Sequence, residues 1–211
     1  MNTTTALVTL PNVSAPTWGR HHHPWLYSDP DGYIIDFGYD IMRRSYRGQA
    51  HDVAQWVARQ CRMLAKFQAG TSLSNAVPVD DLVYQAFLVP DCAPASYADP
   101  QVFWTALQAH NLNPDQHLWA GPTMWFPQAA NWHQPTRRVR EFVQKTIVDS
   151  LLTPAHIVIH DPARLGKSGD LHAHVMISVQ KLCPRGFAGF VPSLVQSGCQ
   201  MAMWQRWQSG T

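Results

Sequence analysis

One stretch restricts the fold of this chain more than any other: AHIVIHDPARLGKSGDLHAHVMISV, residues 155–179. Its first run, AHIVIHD, is dominated by β-branched residues and ended by Pro162, so it reads as a buried strand. Its last run, LHAHVMISV, alternates as a second strand should. A short loop containing Gly166 and Gly169 joins them. On a strand, His172 and His174 point to one face, because side chains two apart do so. A hairpin brings His160 opposite them. Three imidazoles converging from paired strands make a site for a divalent metal with coordination positions left open. An isolated His-x-His pair is usually an ordinary packed or surface feature, and the third histidine across the hairpin is what carries the metal reading. The GKS in the loop is not a phosphate-binding P-loop. Asp161 stands where its first glycine is required, and no helical pattern follows.

At 211 residues the chain is long enough for one domain with a full core. Its net charge is only +2 with histidine neutral, which excludes a strongly basic nucleic-acid wrapper but leaves room for a local basic groove. Nine Trp and six Tyr mostly serve packing, with stacking on unpaired bases as the alternative use. Cys61, Cys92, Cys183 and Cys199 show no C-x-x-C and no regular spacing, as expected of free thiols in a reducing compartment. No secretory signal and no membrane-length apolar run is evident, so a cytoplasmic protein is expected.

Along the chain, ALVTL reads as a short strand, and residues 11–31 as irregular. The HHHPW segment at 21–25 is a weaker metal candidate. Tyr33 to Phe37 reads as a strand leading into a turn or helix. From His51 or Asp52 a helix is expected, with Val53, Trp56, Val57, Cys61, Leu64 and Phe67 on one face. VYQAFLV is a strand, and DPQVFWTALQAHN a helix opened by Asp99 and Pro100. GPTMWFP is a strand bounded by Gly121 and Pro127. QPTRRVREFVQKTIVDSLL is the clearest helix, with Val139, Phe142, Val143, Ile147 and Leu151 as its apolar stripe. Arg137, Arg138, Arg140 and Lys145 fall mostly off that stripe. Such charges usually form a solvated face, but their place before the histidine hairpin makes phosphate contact an option. A terminal helix closes the chain. There are no internal repeats and no dividing linker.

With these residues in hand, the chain resembles the MobA/MobL family of plasmid mobilisation relaxases. IVIHDP followed by LHAHVMIS is similar to the family's strand ending in His-Asp-Pro, its loop, and its Pro-His-Ala-His strand. The likeness continues into Gly186-Phe187 and the MWQRW end. It reaches back through REFVQKTIVD to LVPDCAPASYADPQVFWTALQ with its central Trp104, covering roughly residues 84–207 in order. Residues 1–32 match weakly. The resemblance implies a single α+β domain. Its central antiparallel sheet would carry the three-histidine metal site, with helices packed mostly on one face. It implies a relaxase that nicks and rejoins single-stranded DNA at a transfer origin, where a tyrosine hydroxyl attacks a phosphodiester and becomes linked to the 5′ phosphate. His160, His172 and His174 match the metal ligands, with Mn or Mg as the expected ion. Asp161 matches the acidic residue after the first histidine, which would orient a ligand. Two tyrosines fit the nucleophile loosely. Tyr39 follows YIIDF, and Tyr46 stands in SYRG; the distance to His51-Asp52 favours Tyr39. Arg137, Arg138, Arg140 and Lys167 would contact DNA. Auxiliary mobilisation proteins are possible partners.

The chain also departs from the family. The family's strand before the position of Pro127 commonly carries Glu, whereas AGPTMWFP has no carboxylate. Three functions therefore stand side by side. They are an active relaxase, a degenerate DNA-binding or mobilisation accessory protein without catalysis, and a metal-dependent phosphodiester hydrolase that uses water.

Overall fold

The computed structural model describes residues 26–28, 36–46, 48–61, 80–110 and 116–210. The central hairpin forms as the sequence requires. β7 (Ala155–His160) and β8 (Leu171–Ser178) pair antiparallel, with His160 directly across from His172 and Val158 across from His174. Four further strands extend this pair: β1 (Leu26–Ser28), β2 (Phe37–Arg43), β5 (Leu82–Leu88) and β6 (His117–Phe126). The six form one antiparallel sheet in the order β1-β2-β6-β8-β7-β5. Two small ribbons stand apart from it, β3 (Ser45–Tyr46) with β4 (Gln49–Ala50), and β9 (Gln180–Cys183) with β10 (Gly186–Phe190).

Every residue of β7 is buried, because apolar side chains leave it on both sides. Ala155, Ile157 and Ile159 enter one core, and Val158 the other. Each fully buried Val or Ile contributes roughly 1.5–3 kcal/mol. The first core is closed by α3 (His133–Val143) and α4 (Cys199–Ser209) through Val139, Phe142, Val143, Met203 and Trp207. The second is closed by α1 (Val53–Gln60) and α2 (Pro100–His110) through Val53, Trp56, Val57, Phe103, Trp104 and Leu107. The α+β class and the antiparallel sheet are as expected. The helices are not gathered on one face, because both faces of the sheet are apolar and each needs a cover.

Local signals explain most element ends. Asp52 caps α1, its Oδ1 accepting from the Gln55 N–H at 2.8 Å. Asp99 does the same for α2 at Gln101 and Val102. Four expectations are corrected. Leu26–Ser28, inside the segment expected to be irregular, pairs with β2 as an edge strand. The run from Phe37 to Arg43 is a strand throughout, so Tyr39 lies within a strand rather than after one. β6 begins at His117, and Gly121 is internal to it: a Cβ there would stand 1.8 Å from the Val175 carbonyl oxygen. The glycine marks a close backbone approach, not a boundary. The long helix also changes pitch after Val143, continuing as a π-turn over Gln144–Asp149. The ALVTL strand, the HHHPW cluster, Tyr33 to Ile35, Leu64 and Phe67 lie outside the described residues. Among the described residues, no helix is long and apolar enough to cross a membrane.

Candidate metal centre

The register of β7 and β8 brings three imidazoles together at one end of the sheet. Ring centroids lie 5.4 Å apart for His160–His172, 5.7 Å for His160–His174 and 5.1 Å for His172–His174. Imidazoles that share one ion at about 2.1 Å from nitrogen have centroids about 4.5–5.3 Å apart. The cluster is thus slightly wider than a closed site. Among the described residues, no set of three His, Cys, Asp or Glu donors is already drawn to metal distance. His160 is buried at 1 % exposure, whereas His172 and His174 are partly open, so a ligand has access from their side.

The Nδ1 atoms supply the fit test. His160 Nδ1 lies 3.3 Å from Asp81 Oδ1, His172 Nδ1 lies 2.8 Å from the Asp170 carbonyl oxygen, and His174 Nδ1 lies 2.9 Å from Thr123 Oγ1. A carboxylate and a carbonyl can only accept, so His160 and His172 donate from Nδ1, which makes Nε2 the acceptor nitrogen of each ring. That is the outer support a ligating histidine needs. The residues present therefore have the donor chemistry of a divalent site, three imidazoles with supported Nδ1 atoms, at a spacing slightly wider than ligation needs. Such an ion would polarise a phosphate and stabilise negative charge on its non-bridging oxygen.

The loop that connects the strands is built to turn tightly. Asp161 accepts from the Ala163 N–H at 3.2 Å and starts a short 3-10 turn, Pro162–Leu165, which ends at Gly166 with φ +64°. No helix follows, consistent with the rejection of a P-loop. The carboxylate set against a histidine ring is Asp81, at the start of β5, and not Asp161. β6 supplies the next shell of residues. Thr123 pairs with His174 and Trp125 with His172. Gly38 pairs with Thr123, and a Cβ on it would meet the Trp125 ring at 3.2 Å. Asp36, which accepts from the Trp125 N–H, has φ +60°, and its carboxyl is pushed up by burial and by Asp170.

Tyr39 does not join this cluster, and the strand that carries Tyr46 lies away from it. Tyr39 points to the opposite face of the sheet: it is buried in the first core, and its hydroxyl donates to the Leu194 carbonyl at 2.9 Å. Tyr46 sits in β3, beyond Arg43, and Arg43 ends β2 against His117, at the far end from Thr123 and His174. Arg43 is five residue steps along the strand from Gly38, roughly 16 Å of chain. Arg137, Arg138 and Arg140 are exposed on α3, which covers the face away from the histidines. Arg138 lies over the Trp207 ring at 3.9 Å and donates to its carbonyl. Lys167 is exposed in the β7–β8 loop, next to the histidines in the chain.

Sequence reading missed Asp81, Thr123 and Asp40. Asp81 had no motif around it. Thr123 lay in a strand judged by its lack of carboxylates. Asp40 sat beside the favoured Tyr39 and shares the histidine face only because side chains alternate. Burial pushes the Asp40 carboxyl up to about 7, against the hydrogen bond from Thr123, which lowers it.

Residues 59–206 match the model of the MobA/MobL family. A solved structure described as "Molecular Basis of Vancomycin Resistance Transfer in Staphylococcus aureus" is similar in fold, with a TM-score of 0.52 at 13% identity. The alignment covers 61% of this chain and 67% of that one. No curated protein matches the sequence significantly.

Proposed function

We propose that this chain, which belongs to the MobA/MobL family, nicks and rejoins single-stranded DNA at a plasmid transfer origin through a divalent ion, Mn or Mg, held by His160, His172 and His174. The observation that supports this reading is that β7 and β8 gather the three imidazoles, with ring centroids 5.1–5.7 Å apart, and that the Nδ1 of each has a polar partner. Tight support of each ring would let a phosphate oxygen be met by a preorganised centre. Attack by a tyrosine hydroxyl would conserve the energy of the broken bond in a 5′-phosphotyrosine for resealing. A cytoplasmic location and auxiliary mobilisation proteins that open the duplex go with this reading.

The test is covalent capture. Single-stranded DNA tiled across the gene's own neighbourhood is incubated with the protein and Mn, then digested for peptide mass spectrometry. The expected result is a nucleotide on one tyrosine peptide, absent in His172→Ala. Cleavage without an adduct would move the assignment to a hydrolase that uses water. The position of Tyr39 favours a second reading, a DNA-binding relative without catalysis, since its hydroxyl is committed to Leu194 on the other face. That reading is supported if the DNA is bound but neither cut nor captured.

A further inference from the structure

β6 sets two residues on the histidine face beside the cluster. Thr123 is paired with His174 and Trp125 with His172, and directly paired residues of an antiparallel sheet share a face. Thr123 is buried, whereas the Trp125 indole is only half-buried. Packing accounts for Trp119, further along the same face, which is sealed in the second core against Trp56. It does not account for Trp125. Among the described residues, that side chain belongs to neither core. Its ring leans away from β8 and over β2. A Cβ on Gly38 would stand 3.2 Å from its Cη2 and 3.3 Å from its Cζ3, so the far edge of the indole rests on backbone that carries no side chain. The main chain is tied as well, the Trp125 N–H donating to the Asp36 carbonyl at 3.0 Å. A large, neutral aromatic ring is thus held in place at the open end of the sheet, one strand from His172.

We propose that Trp125 is a stacking platform for one nucleobase of the single-stranded DNA whose phosphate faces the histidine cluster. Neighbouring strands stand about 4.8 Å apart, so an indole over β2 lies roughly 10 Å from the histidines of β8. A DNA strand with one phosphate at the cluster lays a neighbouring base on the ring. Every base has a π-face, so the contact anchors the strand without reading its sequence. Gly38 is the seat of the platform, since a side chain there would press on the ring edge. A base held on a fixed ring also fixes the sugar and phosphate attached to it, and so brings the phosphodiester to the histidines in one orientation. This inference rests on the single-stranded DNA reading above.

The experiment joins photo-crosslinking to equilibrium binding. The single-stranded DNA tiled across the gene's neighbourhood is made with 5-iodouracil in place of thymine, irradiated with the wild-type protein and digested for peptide mass spectrometry. The expected adduct is on the peptide that contains Trp125. By fluorescence anisotropy with the same DNA, Trp125→Leu, which keeps an apolar side chain but no ring, should bind about 5–100-fold more weakly. Trp125→Phe should retain most of the affinity, and calorimetric titration of Mn2+ alone should be unchanged in both. Adducts that fall only on other peptides overturn the proposal whether or not either variant folds. Wild-type DNA affinity in a folded Trp125→Leu protein does so too. Loss of Mn2+ binding together with DNA binding in Trp125→Leu makes the ring a support of the histidines and overturns the platform. A wild-type protein that binds none of the tiled DNA instead overturns the single-stranded DNA reading, and this inference with it.

Discussion

β7 carries two histidines that differ in almost nothing but their neighbours. His156 and His160 lie four residues apart on one strand and on the same face, and both are buried, at 2% and 1% exposure. His160 is opposite His172 and beside Asp81. His156 is opposite Met176, lies 5.5 Å from the Phe87 ring, and meets the Cys61 thiol through Nε2 at 3.3 Å. Burial without a charged neighbour lowers the pKa of His156 to about 4 and raises that of the Cys61 thiol to about 12. One end of the strand is therefore a neutral, sealed core under α1 and α2, and the other is a polar, partly open site. The difference teaches that a strand histidine becomes a ligand candidate through what the adjacent strands set across from it, not through its own burial.

The largest expected effect removes the frame that both ends share. Gly121→Ala places a Cβ against the Val175 carbonyl and forces β6 away from β8. A loss of roughly 3–5 kcal/mol by chemical denaturation is expected. A loss below 1 kcal/mol would show that the two strands can separate without cost.

A paired substitution tests the contrast itself. His156→Ala should cost about 2–4 kcal/mol of stability by leaving a cavity among aromatic rings, with Mn2+ affinity unchanged. His160→Ala should abolish Mn2+ binding in the same titration. Loss of metal binding in His156→Ala with the fold intact would erase the distinction between the two ends.

The sealed end also sets a pH dependence. The pKa of His156 is depressed on folding, from 6.5 to about 4, so the unfolded chain binds the extra proton. Its stabilising contribution is fully present above pH ~6.5 and is lost as pH falls toward 4, up to about 3 kcal/mol. Asp40 has the opposite sign: its pKa is raised to about 7, so its contribution is full below its ordinary range and lost as pH rises through 7. Comparing wild type with His156→Leu isolates the first effect. The stability difference between them should shrink by up to about 3 kcal/mol from pH 7.5 to 4.5. A constant difference would mean that His156 takes up its proton inside the fold.

The smallest effect concerns the other face of the sheet. Tyr39→Phe should cost about 1 kcal/mol, the hydrogen bond to Leu194, and leave Mn2+ binding and any nicking unchanged. Loss of nicking in a folded Tyr39→Phe protein would show that this strand can turn its hydroxyl to the histidine side.

Much of this protein was legible from residue order. The β-branched run 155–160, the alternation of 171–178 and the short loop between them determined a hairpin, and with it the meeting of three histidines. Asp52 and Asp99 marked their helices because capping is a local interaction. The ordered series of segments also indicated the MobA/MobL family, which the match over residues 59–206 bears out. Tertiary structure alone decided which residues support the histidines. Asp81, just before β5, lies 79 positions from His160 in the chain, and Thr123 on β6 lies 51 from His174, and sequence separation holds no record of strand order. It also decided the fate of Tyr39. Side chains alternate along a strand, so a shift of one residue exchanges the faces of the sheet. That register places Asp40 on the histidine face of the sheet and sends the tyrosine next to it into the opposite core.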